Sequence, residues 1–274
     1  MKKQGITISN FLEWVKEVHY VEVPLENLSM YQNHVYFRGH ASTSWEILPS
    51  LFRDKGRIHD EHLMLEMASN MLWTELNDCN SELDKMIRLQ HYGLHTRLLD
   101  VTYNPLVALF FACQDHDDND GLVICGYKEK GSNLVCQAIA EYVFKYDVFN
   151  IKELAKICEQ KNVKEEELKT IHFVSPPLNN PRISIQNGAF IMSPLLNRNL
   201  DKHFNIASYA YIKKEMEAAF EKQFVIPKDS KPTIIKELDY LGFNKATIYT
   251  DISNKLKYIN EKEDNDECQN VDLS

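Results

Sequence analysis

Apolar residues recur at helical spacing in several stretches of the chain, and residues that cap or end helices bound these stretches. The pattern predicts helices over residues 8–20, 59–76, 81–92, 104–114, 147–169 and 230–241. Ser81 is the expected N-cap of the third helix, and Gly93 ends it. Asn104 and Pro105 open the fourth helix, which is apolar nearly all round, so we expect it to be central and buried.

Short runs of β-branched and aromatic residues predict strands at residues 35–37, 121–127, 171–174, 189–192, 207–213, 222–226 and 246–249. The first of these strands ends at Arg38 and Gly39, where glycine permits a turn. Helices cluster in the first half of the chain and short strands in the second, with little strand–helix–strand alternation. The pattern therefore predicts a single α+β domain whose helices pack on a small mixed or antiparallel sheet.

Composition narrows the class of protein. The 274 residues are 44% hydrophobic, enough for a sizeable core, and the net charge of −9 argues against a bulk electrostatic grip on nucleic acid. Six widely spaced cysteines without a C-x-x-C pair indicate free thiols in a reducing compartment. With no signal-peptide pattern and no apolar run of membrane-spanning length, a cytoplasmic protein is expected. The acidic tail, residues 256–274, is expected to be disordered.

The first candidate for chemistry is Arg38, which follows an apolar strand and precedes Gly39. A guanidinium can grip a phosphate or carboxylate with two parallel hydrogen bonds, and glycine lets the backbone approach a ligand closely. The alternative is that Arg38 forms a structural salt bridge.

The second candidate is the dense polar run from Gln90 to Asp100, directly before the most apolar helix. Arg97 and Asp100 could pair with each other, or either could face a cleft. Gly93 separates His91 from His95 and breaks the helix that would align them, so no metal site is expected. Either histidine could serve as an acid or base, although a structural role is the simpler alternative.

Two later segments carry further candidates. Gln186 and Gly188 flank a bend into a strand that contains Phe190, and the Gln186 amide could bind an amide or a sugar hydroxyl of a ligand, or stabilise the turn. The closing segment, residues 241–251, reads as a helix end, a strand and an acidic residue, Asp251.

Together these segments resemble the FRG domain, a family named for its Phe-Arg-Gly motif. The motifs that carry the resemblance are Phe37-Arg38-Gly39, Gln90-His91-Tyr92-Gly93, Thr96 to Asp100, Asn104 to Leu109, Gln186-x-Gly188-x-Phe190 and the region from Leu238 to Asp251. The resemblance covers roughly residues 30–255, preceded by a helix and lead-in at 1–29 and containing a helical insertion at about 147–170. His95 stands where the family often has proline, and Thr250 precedes Asp251 where proline is frequent.

The family is grouped by similarity with the ADP-ribosyltransferases, so the resemblance implies a split sheet and NAD as substrate, without a metal. It also implies a bacterial or phage protein, a toxin or phage-defence effector, that cleaves the nicotinamide–ribose bond and transfers ADP-ribose to a macromolecule or to water. In that superfamily an arginine or histidine on the first core strand helps hold NAD, and an acidic residue on a later strand orients the nicotinamide ribose. By position, Arg38 fits the first role.

The acidic role has several candidates: Glu217, in a Glu-x-Glu sequence, and Asp251, with Glu141 as a further one. The residues that the resemblance assigns to NAD binding are Phe37, Arg38, Gly39, His91, Tyr92, Arg97, Asp100, Gln186, Gly188 and Phe190. Two other classes stay open: a non-catalytic module that binds a nucleotide or nucleic acid, and a hydrolase that uses His91 or His95 with Asp100.

Overall fold

The computed structural model describes residues 5–19, 35–54, 60–114, 118–127, 133–176, 181–197, 206–249 and 256. Asp251 and the predicted disordered tail beyond residue 256 lie outside these ranges. In the described ranges, no helix combines the length and apolarity needed to cross a membrane.

Six strands form one sheet in which every neighbouring pair is antiparallel. They are β1 (Val35–His40), β2 (Leu98–Thr102), β3 (Gly121–Tyr127), β4 (His172–Val174), β5 (Gly188–Met192) and β6 (Lys222–Ile226). The order across the sheet is β4-β5-β2-β1-β3-β6, so β1 and β2 lie side by side at its centre. The predicted α+β class and antiparallel sheet are confirmed.

Helices flank the sheet and occur in both halves of the chain. Those in the first half are α1 (Ile8–His19), α2 (Glu61–Met71), α3 (Trp73–Leu76), α4 (Glu82–His91) and α5 (Pro105–Cys113). Those in the second half are α6 (Asn133–Lys145), α7 (Ile151–Lys161), α8 (Pro181–Gln186), α9 (Tyr209–Ala218), α10 (Lys231–Tyr240) and α11 (Lys245–Ile248). As predicted, Ser81 caps α4 by accepting a hydrogen bond from the Asp84 amide, and Asn104 caps α5.

The core is divided into three apolar clusters, and this division positions the site. Side chains alternate along each strand, so Tyr36, Leu99 and Ile191 contribute to one cluster, which α9 covers. Phe37, with α5, α1 and α10, belongs to a second cluster over β1, β3 and β6. Leu98, with α4 and α6, belongs to a third cluster, which also contains residues of β4 and β5. The boundary between the second and third clusters follows the junction of β1 with β2.

Strands β1 and β2 are paired at one position, Phe37 with Thr102, whereas β1 is paired with β3 along its whole length. Beside this position the Arg38 side chain donates a hydrogen bond to the Asp100 carbonyl oxygen at 2.6 Å. The Arg38 side chain thus replaces the backbone donor with which the Asp100 carbonyl oxygen would have paired between the strands. The weak pairing leaves room for a cleft at the centre of the sheet.

The prediction of a turn at Gly39 was wrong, because Gly39 lies inside β1. Its role is close packing: a Cβ atom there would lie 1.9 Å from the Ala108 carbonyl oxygen of α5. The absence of a side chain lets the backbone of α5 rest directly on the strand. Gly39 thereby keeps α5 close to the cleft.

Two predicted strands are helices instead. Residues 207–213 fall largely in α9, because Ser208 caps its N-terminus and Ile212 and Met216, four residues apart, are buried on one face. Residues 246–249 fall largely in α11, where Asn244 and Thr247 form a capping box.

Three helices or strands were not predicted: β2, α6 and the short helix α8. Strand β2 falls within the polar run, and its alternation is interrupted by an exposed Asp100. Helix α6 lies between the predicted strand at 121–127 and the predicted helix at 147–169, which is divided into α7 and a 3-10 turn at Glu165–Lys169.

Candidate functional site

A cleft of about 370 Å³ opens at the junction of β1 and β2. Residues of the Phe-Arg-Gly motif line it, together with α4, α5 and the segment from α8 to β5. The lining residues that the sequence had predicted for the site are Phe37, Arg38, Gly39, His91, Asp100, Gln186, Gly188 and Phe190. Residues separated by up to about half the chain are therefore brought together at one position in the fold.

Arg38 is half-buried, and two neutral acceptors hold its guanidinium group. Its Nε donates to His40 Nε2 at 2.8 Å, and its Nη1 donates to the Asp100 carbonyl oxygen at 2.6 Å. Burial lowers the pKa of Arg38 to about 10, an effect that the Asp100 carboxylate opposes and Arg53 reinforces. The group still carries its charge at neutral pH, and neither acceptor cancels that charge.

His40 is buried beside Arg38 on the same face of β1. Burial, followed by the charges of Arg38 and Arg53, lowers its pKa to about 3. The imidazole is therefore neutral at physiological pH, and accepting the Arg38 hydrogen bond at Nε2 places its proton on Nδ1. A neutral imidazole fixes the direction of the guanidinium without forming an ion pair.

Asp100 projects from β2 and contributes the carboxylate of the cleft. Gln90 of α4 donates to Asp100 Oδ1 at 2.9 Å, and the Thr96 hydroxyl donates to Gln90 Oε1. This chain of hydrogen bonds orients the amide of Gln90, which in turn orients the carboxylate. No other Asp or Glu of the described residues lines the cleft.

Sequence reasoning missed Arg53 and Trp45. Arg53 follows a 3-10 turn, Ser50–Phe52, and its Nε donates to the Leu48 carbonyl oxygen at 3.3 Å. Trp45 is 45% exposed, lines the same cleft, and its ring centroid is 6.1 Å from that of His40. Neither residue belongs to a motif, and only folding places both of them in the lining of the cleft with Arg38.

The segment that joins α8 to β5 forms another wall of the cleft. The Gln186 amide donates to the Ile248 carbonyl oxygen at 3.2 Å, which ties this wall to α11. Asn187 adopts a left-handed conformation with φ of 46° before Gly188 enters β5 opposite Thr102. Phe190, Phe111 and Tyr249 add aromatic surface.

Arg97 does not line this cleft. It is buried, and its Nε and Nη2 donate to the two carboxylate oxygens of Glu61 at the start of α2. The pair lies beside a second, smaller cavity of about 280 Å³. The open question of whether Arg97 pairs with Asp100 is thus resolved: Arg97 pairs with Glu61, and Asp100 faces the cleft.

The remaining candidates lie away from the cleft or outside the described ranges. Tyr92 is exposed beside His91 and does not line the cleft. Glu217 lies near the end of α9 with its side chain half exposed, 3.9 Å from Lys213. Glu141 of α6 pairs with Lys145 and Lys161.

In the described ranges, His, Cys, Asp and Glu residues nowhere form a group of three that could hold a metal ion. The cleft offers two guanidinium groups, one carboxylate, amide groups and aromatic surface as its means of binding. These are the groups that bind and orient a small polar molecule with a planar ring.

The comparisons with known proteins agree with the motifs. No curated protein and no solved structure matches the chain. The family model described as the FRG domain matches residues 33–121, which contain Arg38, Arg53, Gln90, Asp100 and α5. The resemblance to the FRG domain is therefore confirmed for residues 33–121 of this chain.

Proposed function

We propose that the cleft binds NAD and that the protein is an ADP-ribosyltransferase-like enzyme that cleaves the nicotinamide–ribose bond. The observation that supports this most directly is that Arg38 and the Asp100 carboxylate line the same cleft, where β1 and β2 separate. The volume of about 370 Å³ is in the range of small-molecule sites. The aromatic walls suit the planar rings of a dinucleotide.

Asp100 is the carboxylate proposed for the reaction. When the bond between ribose C1′ and the nicotinamide nitrogen breaks, its electron pair moves to the ring nitrogen, and nicotinamide leaves as a neutral molecule. The ribose becomes positively charged at C1′ and at its ring oxygen. A carboxylate held at a fixed position next to that charge stabilises the transition state more than the ground state. Gln90 supplies the fixed position by donating to Asp100 Oδ1.

The second half of the reaction needs a nucleophile at C1′. A hydroxyl group of water or of a macromolecule forms the new bond to C1′ and releases its proton to Asp100 or to solvent. Water gives free ADP-ribose, and a macromolecule gives an ADP-ribosylated product. A toxin or phage-defence role in the cytoplasm is part of this proposal. The five cysteines in the described ranges form no disulfide, in keeping with a reducing compartment.

Nicotinamide release from NAD tests the proposal. We expect the purified protein to release nicotinamide, measured by chromatography, and Asp100→Asn to lower the rate by about 100-fold or more, because the charge that stabilises the ribose cation is lost. Arg38→Gln is expected to reduce release as well. Asp78→Asn is the matched control, since Asp78 pairs with Arg88 outside the cleft.

The outcomes separate the alternatives. Release that requires added cell extract indicates transfer to a macromolecule, and release without it indicates hydrolysis. No release by the wild-type protein, or equal release by the wild type and Asp100→Asn, would contradict the proposed reaction.

A non-catalytic nucleotide-binding module is the second candidate. One observation favours it: Gln90 already engages Asp100 Oδ1, and no other acidic residue of the described ranges lines the cleft. Such a module would bind NAD in an Arg38-dependent manner without releasing nicotinamide.

A further inference from the structure

Two guanidinium groups line the cleft, and only neutral acceptors hold them. Arg38 donates to an imidazole nitrogen and a carbonyl oxygen, and Arg53 donates to the Leu48 carbonyl oxygen. Neither forms an ion pair with a carboxylate of the described residues. Carbonyl and imidazole acceptors fix the direction of a cation and leave its charge uncancelled.

The charges of Arg38 and Arg53 are close enough to affect each other and His40. Arg53 lowers the pKa of both Arg38 and His40. Like charges held at one site raise its free energy unless an anion joins them. Asp100 offsets part of this charge, but its carboxylate receives a hydrogen bond from Gln90, and its contact with Arg38 is through the backbone oxygen.

The arrangement fits an anion with two neighbouring charged groups. Arginine binds phosphate oxygens with a planar fork of N–H donors, and those N–H groups of Arg38 and Arg53 that do not donate to His40, Asp100 or Leu48 remain for a ligand. Trp45, 45% exposed on the same cleft, offers a face on which a base can stack. A nucleotide with one phosphate would satisfy one arginine, whereas a diphosphate would satisfy both.

We infer that Arg53 and Arg38 together bind the diphosphate of a nucleotide, and that Arg53 is the residue by which the cleft distinguishes nucleoside diphosphates from monophosphates. The inference rests on the proposed function in assigning a nucleotide to this cleft, and it does not require that any bond of the ligand be cleaved. It adds a specificity residue that lies outside the motifs of the sequence.

The test compares ADP with AMP, two ligands that lack the nicotinamide–ribose bond. Titration calorimetry of the wild-type protein is expected to give a Kd for ADP about tenfold or more below that for AMP, since an additional charge-assisted hydrogen-bonded contact is made. In Arg53→Gln the ratio falls towards one, chiefly through weaker ADP binding. In Arg38→Gln both nucleotides bind more weakly.

Arg88→Gln is the matched control because it removes one positive charge from a residue that pairs with Asp78 outside the cleft. It is expected to keep the wild-type ratio, which separates a local contact from a general effect of net charge. Circular dichroism confirms that each variant is folded. Should Arg53→Gln fail to fold, Arg53→Lys retains the charge without the fork and is expected to give an intermediate ratio.

Inorganic pyrophosphate identifies which part of the ligand is recognised. It is expected to compete with ADP in the wild type but to bind more weakly than ADP, because it lacks the base that stacks on Trp45. Pyrophosphate binding as tight as ADP binding would contradict the assignment to a nucleotide.

Equal affinity of the wild type for ADP and AMP, no binding of either, or an unchanged ratio in Arg53→Gln would overturn the inference. Intact ADP preference without nicotinamide release from NAD would overturn the proposed reaction alone.

Discussion

Arg38 and Arg97 lie on or beside adjacent central strands, yet their surroundings differ in one decisive respect. Arg97 is buried and donates to both carboxylate oxygens of Glu61, so its charge is cancelled. Arg38 is half-buried and is held by a neutral imidazole and a backbone carbonyl, so its charge is retained. The first arginine connects α2 to the sheet, and the second presents a cation to a cleft.

The comparison shows that the partner of an arginine, more than its burial, indicates its role. A buried guanidinium with a bidentate carboxylate has its electrostatic requirement satisfied inside the protein. A guanidinium oriented by neutral acceptors still attracts an anion, which makes it a candidate ligand-binding group. Substitution of Arg97 should therefore mainly lower stability, whereas substitution of Arg38 should mainly weaken ligand binding.

The largest effect is expected at Arg97. Arg97→Ala should lower the free energy of unfolding by about 3–5 kcal/mol, because it leaves the buried Glu61 carboxylate without a partner. Urea denaturation measures this change. The double variant Arg97→Met with Glu61→Leu serves as the control and is expected to recover much of the loss, since no uncompensated charge remains. A loss below about 1 kcal/mol in Arg97→Ala would mean that the pair is not structural.

A smaller loss of stability is expected when the pH is lowered, and it originates from His40. Its folded-state pKa of about 3 lies below the ordinary value of 6.5, so between these pH values the unfolded chain binds a proton that the folded protein does not. The contribution of His40 to stability is therefore fully present above pH 6.5, the ordinary pKa of histidine, and decreases as the pH falls below that value. From pH about 6.5 to pH about 5 we expect a loss of about 1–2 kcal/mol that originates from His40.

His40→Gln checks this assignment, because glutamine is neutral at every pH and can accept the Arg38 hydrogen bond. The wild type should lose more stability than His40→Gln over that pH interval, as measured by urea denaturation at each pH. Identical pH dependence in the two proteins would show that His40 does not titrate as described.

The smallest effect on stability is expected at Arg38. Arg38→Gln removes hydrogen bonds to His40 and to the Asp100 carbonyl oxygen but leaves no buried charge unpaired, so the free energy of unfolding should fall by about 1 kcal/mol or less. The same denaturation measurement applies. A loss as large as that of Arg97→Ala would remove the contrast and make Arg38 structural.

Much of the fold follows from local patterns in the sequence. Helix α5 was predicted because Asn104 and Pro105 define its start and the residues after them are apolar, and β6 was predicted from its β-prone composition. The region 207–213 was predicted as a strand from aromatic and β-branched residues, but the Ser208 cap and the burial of Ile212 and Met216 outweigh that preference.

The site could be predicted only in part. The motifs located Arg38, Asp100 and Gln186, because polar residues next to strongly apolar elements stand out in the sequence. Two facts depend on contacts between distant residues: Arg97 pairs with Glu61, and Arg53 reaches the cleft. No pattern near Arg53 signals its proximity to Arg38. Strand β2 was missed because Asp100, which faces the cleft, interrupts its apolar pattern.

The most direct test of the central claim, that Arg38 carries an uncancelled charge for a ligand, is the change in melting temperature caused by NAD. A ligand that binds only the folded protein raises this temperature, and at a fixed ligand concentration the rise is larger for tighter binding. We predict a rise in the wild-type protein that is abolished in Arg38→Gln and retained in the control Arg88→Gln. No rise in the wild type, or an equal rise in Arg38→Gln, would contradict the account.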